Sequence, residues 1–355
     1  MLTKKVSCIL DKCGIQDSSL RRAYVRNDKI KSAFIIIICV ISVLFSQAQD
    51  SIFYKKSILD FPEHINKNRL TGVCVGSVGV YSAFMVVTGI EWYAKEPLTK
   101  LHLFDDSREW NQIDKTGHIY VPYFTTVFTY NMLRWSGMKN TPAALTAGAF
   151  GFLSLAAIEI PDGLTKKYGA SLSDIAADFV GAAFATTQYL IWKEQRITIK
   201  YSLHAVNYPK GELRDRANEL YGTSLGEKIL KDYNGITTWV SFNLYSFNHN
   251  IKPKWLNVAF GYGAGNMYGG FENKWTDKQG VFHVRSDVKR YRSFYISLDA
   301  DFTKFKTNTK AGKAVLGVLN IVKLPMPALE FNTIGQVVFH PMYFLNLDVP
   351  LYLRK

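Results

Sequence analysis

Cysteine and acidic residues are scarce in this chain, and internal repeats and low-complexity tracts are missing. Four cysteines stand in 355 residues: Cys8, Cys13, Cys39 and Cys74. A zinc cluster or a disulfide framework needs cysteines paired at fixed spacings, and these are not. Asp and Glu number 29 against 43 Lys and Arg, a net charge of +14. The surplus forms no dense basic stripe and carries no nucleic-acid-binding fingerprint, so nucleic acid is excluded as a partner. Charged residues make up 20% and apolar residues 48%, which excludes wholesale disorder. The length suits about two domains.

The basic surplus is unevenly spread. Residues 1–32 carry eight basic and three acidic side chains, residues 49–195 thirteen and fourteen, and residues 196–355 twenty-two and twelve. A near-neutral half is thus joined to a basic half. The basic half reads as a solvated surface, or as one drawn to an anionic glycan or lipid of a cell envelope. Residues 1–48 read as a signal peptide with a long basic start. Lys29 and Lys31 precede an apolar run over 33–45, and Ser46 and Ala48 are the small residues of a cleavage site. The run is short for a membrane span. The mature chain is expected to begin at Gln49 and to keep Cys74, read as a small buried hydrophobe, as its single thiol. No cysteine follows the run at a cleavage position, so no N-terminal lipid anchor is expected.

Residues 49–195 hold four helical segments, 71–93, 118–135, 141–160 and 173–192, each of about the 20 residues that cross hydrocarbon. The second and fourth carry His118, Asn131, Arg134, Asp174 and Asp178. Such residues are costly in lipid unless they face a bundle interior or a hydrated cavity. The segments predict a four-helix, membrane-embedded bundle with an apolar outside and a polar seam. The basic residues before the apolar run place the chain's start in the cytoplasm. Four crossings then leave residues 196–355 in the periplasm, with an outer-membrane location as the alternative.

The polar residues of the seam recur at helical spacing. Asp114 and His118 are four apart, Asp174 and Asp178 are four apart, and Glu159 and Asp162 are three apart, so each pair shares one helix face. Ser173 could cap the fourth helix. All three pairs fall near helix ends on the same side. His118, Glu159 and Asp174 are the candidate catalytic residues, and Asp114, Lys115, Asp162 and Asp178 the candidate binding residues. Carboxylates with one imidazole could hold a hard divalent cation, or work as an acid–base pair on a phosphate or ester. No organic cofactor is evident. The same residues also suit helix capping and ion pairing in a scaffold.

The run Trp92-Tyr93, Phe104-Asp105-Asp106-Ser107, Glu109-Trp110, Asp114-Lys115 and Gly117-His118 resembles the YfiM-like family of predicted periplasmic proteins, in its long Bacteroidetes form. The likeness continues through Glu159, Asp162-Gly163, Tyr168-Gly169-Ala170-Ser171, Trp192-Lys193-Glu194-Gln195-Arg196, Ser297-Leu298-Asp299-Ala300-Asp301 and Glu330. The Asp-Lys-x-x-His, Glu and Ser-x-x-Asp parts are also similar, more distantly, to VanZ-like membrane proteins. The resemblance implies a cell-envelope protein and no particular reaction. Asp178 stands where both families usually show Asn.

From Arg196 the period changes to two. Ile197, Ile199, Tyr201 and Leu203 alternate with polar residues, as do Phe294, Ile296, Leu298 and Phe302. This predicts antiparallel strands with one apolar face, and a helix over 212–231 between the first two. The fold class is therefore α+β. The β-rich half is expected as a soluble sheet or small barrel packed on the bundle, with an outer-membrane barrel as the rival. Asp299 and Asp301 point the same way on one strand and could bind a cation, but read rather as solvent-facing. Gly261, Gly263 and Gly265 read as a twisted strand rather than a phosphate loop. Functionally, the expectation is an envelope membrane protein that binds or processes a phosphorylated or lipid-linked component. The alternative is a non-enzymatic scaffold.

Overall fold

The computed structural model describes residues 61–89, 93, 96–343 and 349–351. The expected signal peptide lies outside them. Helix α1 (Lys67–Thr88) starts on Asn66, whose side chain accepts the Arg69 N–H. It is followed by α2 (Ile113–Trp135), α3 (Asn140–Ala156), the short α4 (Glu159–Gly163) and α5 (Leu172–Ile191).

Small residues let α2, α3 and α5 approach closely. Ala143, Ala144 and Ala147 of α3 and Ala182 and Ala185 of α5 are buried. Gly181 of α5 lies so near the Ile119 carbonyl of α2 that a Cβ there would stand 2.0 Å from its oxygen. Tyr130 and Tyr189 stack with ring centroids 3.5 Å apart and join Val73 of α1 in the same cluster.

A four-helix transmembrane bundle is more than these residues show. α1 leaves Val75, Val78, Phe84 and Val86 exposed and packs mainly through Leu70 and Val73. Among the described residues two stretches, Lys67–Val86 and Asn140–Gly163, are long and apolar enough to cross a membrane. α2 and α5 are interrupted by their own polar residues. Cys74, expected to be buried, is exposed, because α1 turns a different face to its neighbours.

The second half is an antiparallel sheet in the order β1-β2-β3-β6-β7-β8-β9. Its strands are β1 (Ile197–Leu203), β2 (Ile236–Asn243), β3 (Leu256–Gly265), β6 (Tyr291–Ala300), β7 (Ala328–Asn332), β8 (Val337–His340) and β9 (Val349–Leu351). A separate hairpin pairs β4 (Lys274–Thr276) with β5 (Phe282–Val284). The helix expected over 212–231 is two, α6 (Glu212–Tyr221) and α7 (Leu225–Lys231), broken at Gly222 with φ at +78°. Two further short helices are α8 (Leu244–Phe247) and α9 (Lys310–Leu319). Gly261 faces the Trp239 ring within β3, so the glycine run is a strand with close packing and not a phosphate loop.

The sheet's inner face is polar. Thr237, Ser241 and Asn257 are fully buried there, and Lys200 pairs with Asp299 at 2.9 Å with both side chains fully buried. This reverses the expectation for Asp299 and Asp301: both are buried, Asp299 beside Lys200 and Asp301 as the cap of a short 3-10 turn. α2 lies across β1 and β2. Tyr120 stacks on Tyr201 at 4.8 Å, Ile199 packs with Tyr123 and Ala185, and Thr238 donates to Thr116 at 2.9 Å. The α2 N-terminus is thereby set near the end of the sheet where β1 finishes and β2 begins.

Candidate functional site

Just before α2 the chain makes a left-handed turn. Trp110, Asn111 and Gln112 all have positive φ, at 49°, 50° and 63°. Non-glycine residues there cost on the order of 1–3 kcal/mol each and persist only where the surroundings over-determine them. The Trp110 N–H donates to the Gly270 carbonyl, Tyr262 donates to the Asn111 carbonyl, and Arg292 donates to Gln112. β3, β6 and their connecting loop therefore hold the turn and aim the first residues of α2.

Those residues meet α5 around Lys115. Its Nζ lies 2.6 Å from Asp174 Oδ1, 2.7 Å from Asp106 Oδ1 and 3.1 Å from Asp114 Oδ2. His118 places Nδ1 3.0 Å from Asp178 Oδ1 and Nε2 3.6 Å from Asp174 Oδ1. The second Asp114 oxygen accepts the Tyr233 hydroxyl at 2.8 Å. Ser171 caps α5: its Oγ accepts the Asp174 N–H at 3.0 Å and donates to Asp106 Oδ1 at 2.5 Å. Ser173, expected as the cap, donates instead to the same Asp106 oxygen at 2.8 Å. Glu159 is buried and accepts the Ser171 N–H at 2.7 Å. Asp162 accepts the Tyr93 hydroxyl at 2.9 Å.

Asp114, Lys115, His118, Asp174 and Asp178 thus touch one another. Glu159 joins them through Ser171, and Asp162 stands to one side with Tyr93. Lys115, expected as one of four binding residues, is the centre. Sequence reasoning missed Asp106, Ser171, Tyr93 and Tyr233 as parts of the site. Asp106 lies in a loop without helical period, and only its place in a motif of charged residues just before Asp114 hinted at it.

Burial works against the charge on Asp106, but the hydrogen bonds from Lys115, Ser171 and Ser173 outweigh it and hold the carboxyl at about 2. On the neighbouring turn burial raises Glu109, which also faces the negative charges of Asp106 and Asp114.

Asp114, His118 and Asp174 each offer a ligand atom, and these atoms lie within 4.8 Å of one another. Oxygen ligands with one imidazole suit a divalent cation at roughly 2.0–2.6 Å from each donor. Asp178, fully buried, keeps Oδ2 without a hydrogen-bond partner beside this group. Four carboxyl groups, those of Asp106, Asp114, Asp174 and Asp178, lie against one lysine and one imidazole. The Lys115 ammonium already neutralises the side of Asp114 and Asp174 that they share, and an incoming ion would displace it.

A family described as predicted periplasmic lipoproteins (DUF2279) matches residues 103–190. That stretch, about a quarter of the chain, contains Asp106 and all seven of the expected site residues. The description agrees with a cell-envelope location and names no activity. No curated protein and no solved structure matches the chain.

Proposed function

We propose that this chain is a cell-envelope membrane protein whose Asp114–His118–Asp174 group binds a divalent cation and, through it, a phosphorylated or lipid-linked envelope component. The observation that carries this reading is the convergence of the three ligand atoms within 4.8 Å. The excess of carboxyl groups supports it, because a phosphate would approach only with a cation between. His118 and Asp174 would hold the ion, with Asp114 as third ligand once Lys115 moves aside, and Asp178 orients the imidazole from its Nδ1 side. Bound there, a divalent ion supplies charge to polarise a phosphoryl oxygen. Glu159 shapes the site by fixing the Ser171 backbone. The likeness to YfiM-like and, more distantly, VanZ-like proteins is in keeping with an envelope role, as is the basic second half, which suits anionic lipid or glycan.

A second reading, a non-enzymatic scaffold, is favoured by one fact: Lys115, Asp106 and Ser171 form a closed network that joins helix ends without any ligand. Rescue of a deletion phenotype separates the two. Asp114→Asn, His118→Ala and Asp174→Asn are expected to fail at normal protein abundance. Full rescue by all three at normal abundance would sink the site reading, and failure explained by lost abundance would favour the scaffold.

A further inference from the structure

The sheet is turned inside out relative to a water-soluble one. Its inner face buries Lys200, Asp299, Lys323 and Glu330, while Phe260, Phe294, Ile296, Leu298, Phe331 and Phe339 stand exposed on the outer face. In β6 the alternation is complete: Ser293, Tyr295, Ser297 and Asp299 face inward and Phe294, Ile296 and Leu298 outward. The inward charges are held by hydroxyls, carbonyls and opposite charges on the same face. Lys323 donates to Ser297 at 2.9 Å and to the Leu298 carbonyl at 2.8 Å, and Glu330 accepts from Ser293 at 2.6 Å and pairs with His340 at 2.8 Å. A contiguous apolar outer face of this size marks an interaction surface, because monomeric soluble proteins rarely expose one.

One end of the sheet tells what covers that surface. The register sets Ile197, Phe242, Leu256 and Ala300 at a common end. Aromatic rings and basic side chains collect just beyond it. Trp192 meets Phe247 at 5.7 Å with Arg196 over its ring, Lys252 and Lys254 lie 4.4 and 4.9 Å from the Tyr245 ring, and Trp255 stacks on Phe305 at 5.7 Å. A belt of Trp, Tyr, Lys and Arg bordering an apolar wall is the pattern of a membrane interface, and its positive charge complements anionic headgroups. Ten residues of β6, at about 3.4 Å each and tilted by about 45°, cover roughly 24 Å, close to the apolar band of a strand-walled membrane protein. Leu153 of α3 and Phe179, Val180 and Ile191 of α5 are exposed apolar residues as well.

We infer that the outer face of β3, β6, β7 and β8 lies against the hydrocarbon of a phospholipid bilayer, with the Trp192–Tyr245–Trp255 belt at one headgroup layer and the Lys115 site toward the other. The β-rich half is then a wall within the membrane and not a soluble domain beside it.

The test uses the full chain with its four cysteines replaced by serine, spin-labelled at Ile296→Cys, Leu298→Cys or Lys278→Cys. The last sits on the exposed β4–β5 turn. In vesicles of phosphatidylethanolamine and phosphatidylglycerol, labels at 296 and 298 are expected to collide more with oxygen than with a water-soluble nickel complex, and the label at 278 the reverse. Nickel access at 296 and 298 equal to that at 278 overturns the inference in favour of a water-facing sheet. Protection from both reagents overturns it in favour of a second copy or another protein on that face. In the cysteine-containing chain, lipids brominated near the headgroup end should quench tryptophan fluorescence, and Trp192→Phe with Trp255→Phe should remove most of the quenching. An unchanged quenched fraction would count against the belt. None of these positions touches the Lys115 site, so this inference and the cation reading can fail separately.

Discussion

Lys115 is the residue on which the site turns. It gives one ammonium to Asp106, Asp114 and Asp174, and its side chain is only 11% exposed. Replacing one partner of a buried ion pair leaves the other charge uncompensated, at about 3–5 kcal/mol. Lys115→Met is therefore expected to lower the melting temperature sharply, and a millimolar divalent cation should recover more of the loss than it adds to the unmutated chain. Thermal melts with and without Mn2+ measure both. Asp106 gives a pH signature. Its folded-state value of about 2 lies below its ordinary 3.8, so its stabilisation is complete above about pH 4 and is lost as pH falls through about 2. At about 1.4 kcal/mol per unit the effect near neutrality is about 2 kcal/mol. Denaturant titrations should find Asp106→Asn destabilised by that amount at pH 7, with the gap to the unmutated chain closing toward pH 2. The Asp114–His118 spacing was legible in the sequence because α2 continues through both. The central role of Lys115 was not, because two of its three partners, Asp106 and Asp174, reach it only through the 106 loop and α5.

At the scale of elements, close approach of α2 and α5 sets the distance between Asp114–His118 and Asp174–Asp178. Gly181→Ala would press a Cβ against the Ile119 carbonyl, a backbone atom that cannot swing aside. Overpacking of this kind costs about 1–3 kcal/mol or more, and the displaced helices should also lose cation affinity. Gly117→Ala, with nothing within 4 Å of the added carbon, should be neutral or stabilising by up to about 1 kcal/mol. Chemical denaturation of the two variants makes the comparison. Ser171→Ala removes both the α5 cap and a donor to Asp106 and should cost about 1–2 kcal/mol. The long helices of the first half, the change of period at Arg196 and the glycine strand were readable from spacing, and the break at Gly222 was not. Which serine caps α5 was not, since Ser171 and Ser173 both precede the helical run and only the backbone decides between them.

At the scale of the whole molecule, the described residues combine three close-packed helices, one apolar helix beside them and a sheet with a polar interior. Alternation in β6 revealed an apolar and a polar face, but alternation alone has no inside. The polar face became the buried one because Lys200, Lys323, Asp299 and Glu330 find partners across the strands. The helices, the left-handed turn at 110–112 and the sheet end together fix the ligand atoms of Asp114, His118 and Asp174 in one place. That placement is the central claim, and titration of the full-length protein with Mn2+, followed by the paramagnetic resonance of the free ion, tests it most directly. The account predicts one saturable site per chain, lost in Asp174→Asn and His118→Ala and unchanged in Asp299→Asn or Glu330→Gln if these remain folded. Binding that survives both site substitutions, or no saturable binding to the folded protein, would contradict it.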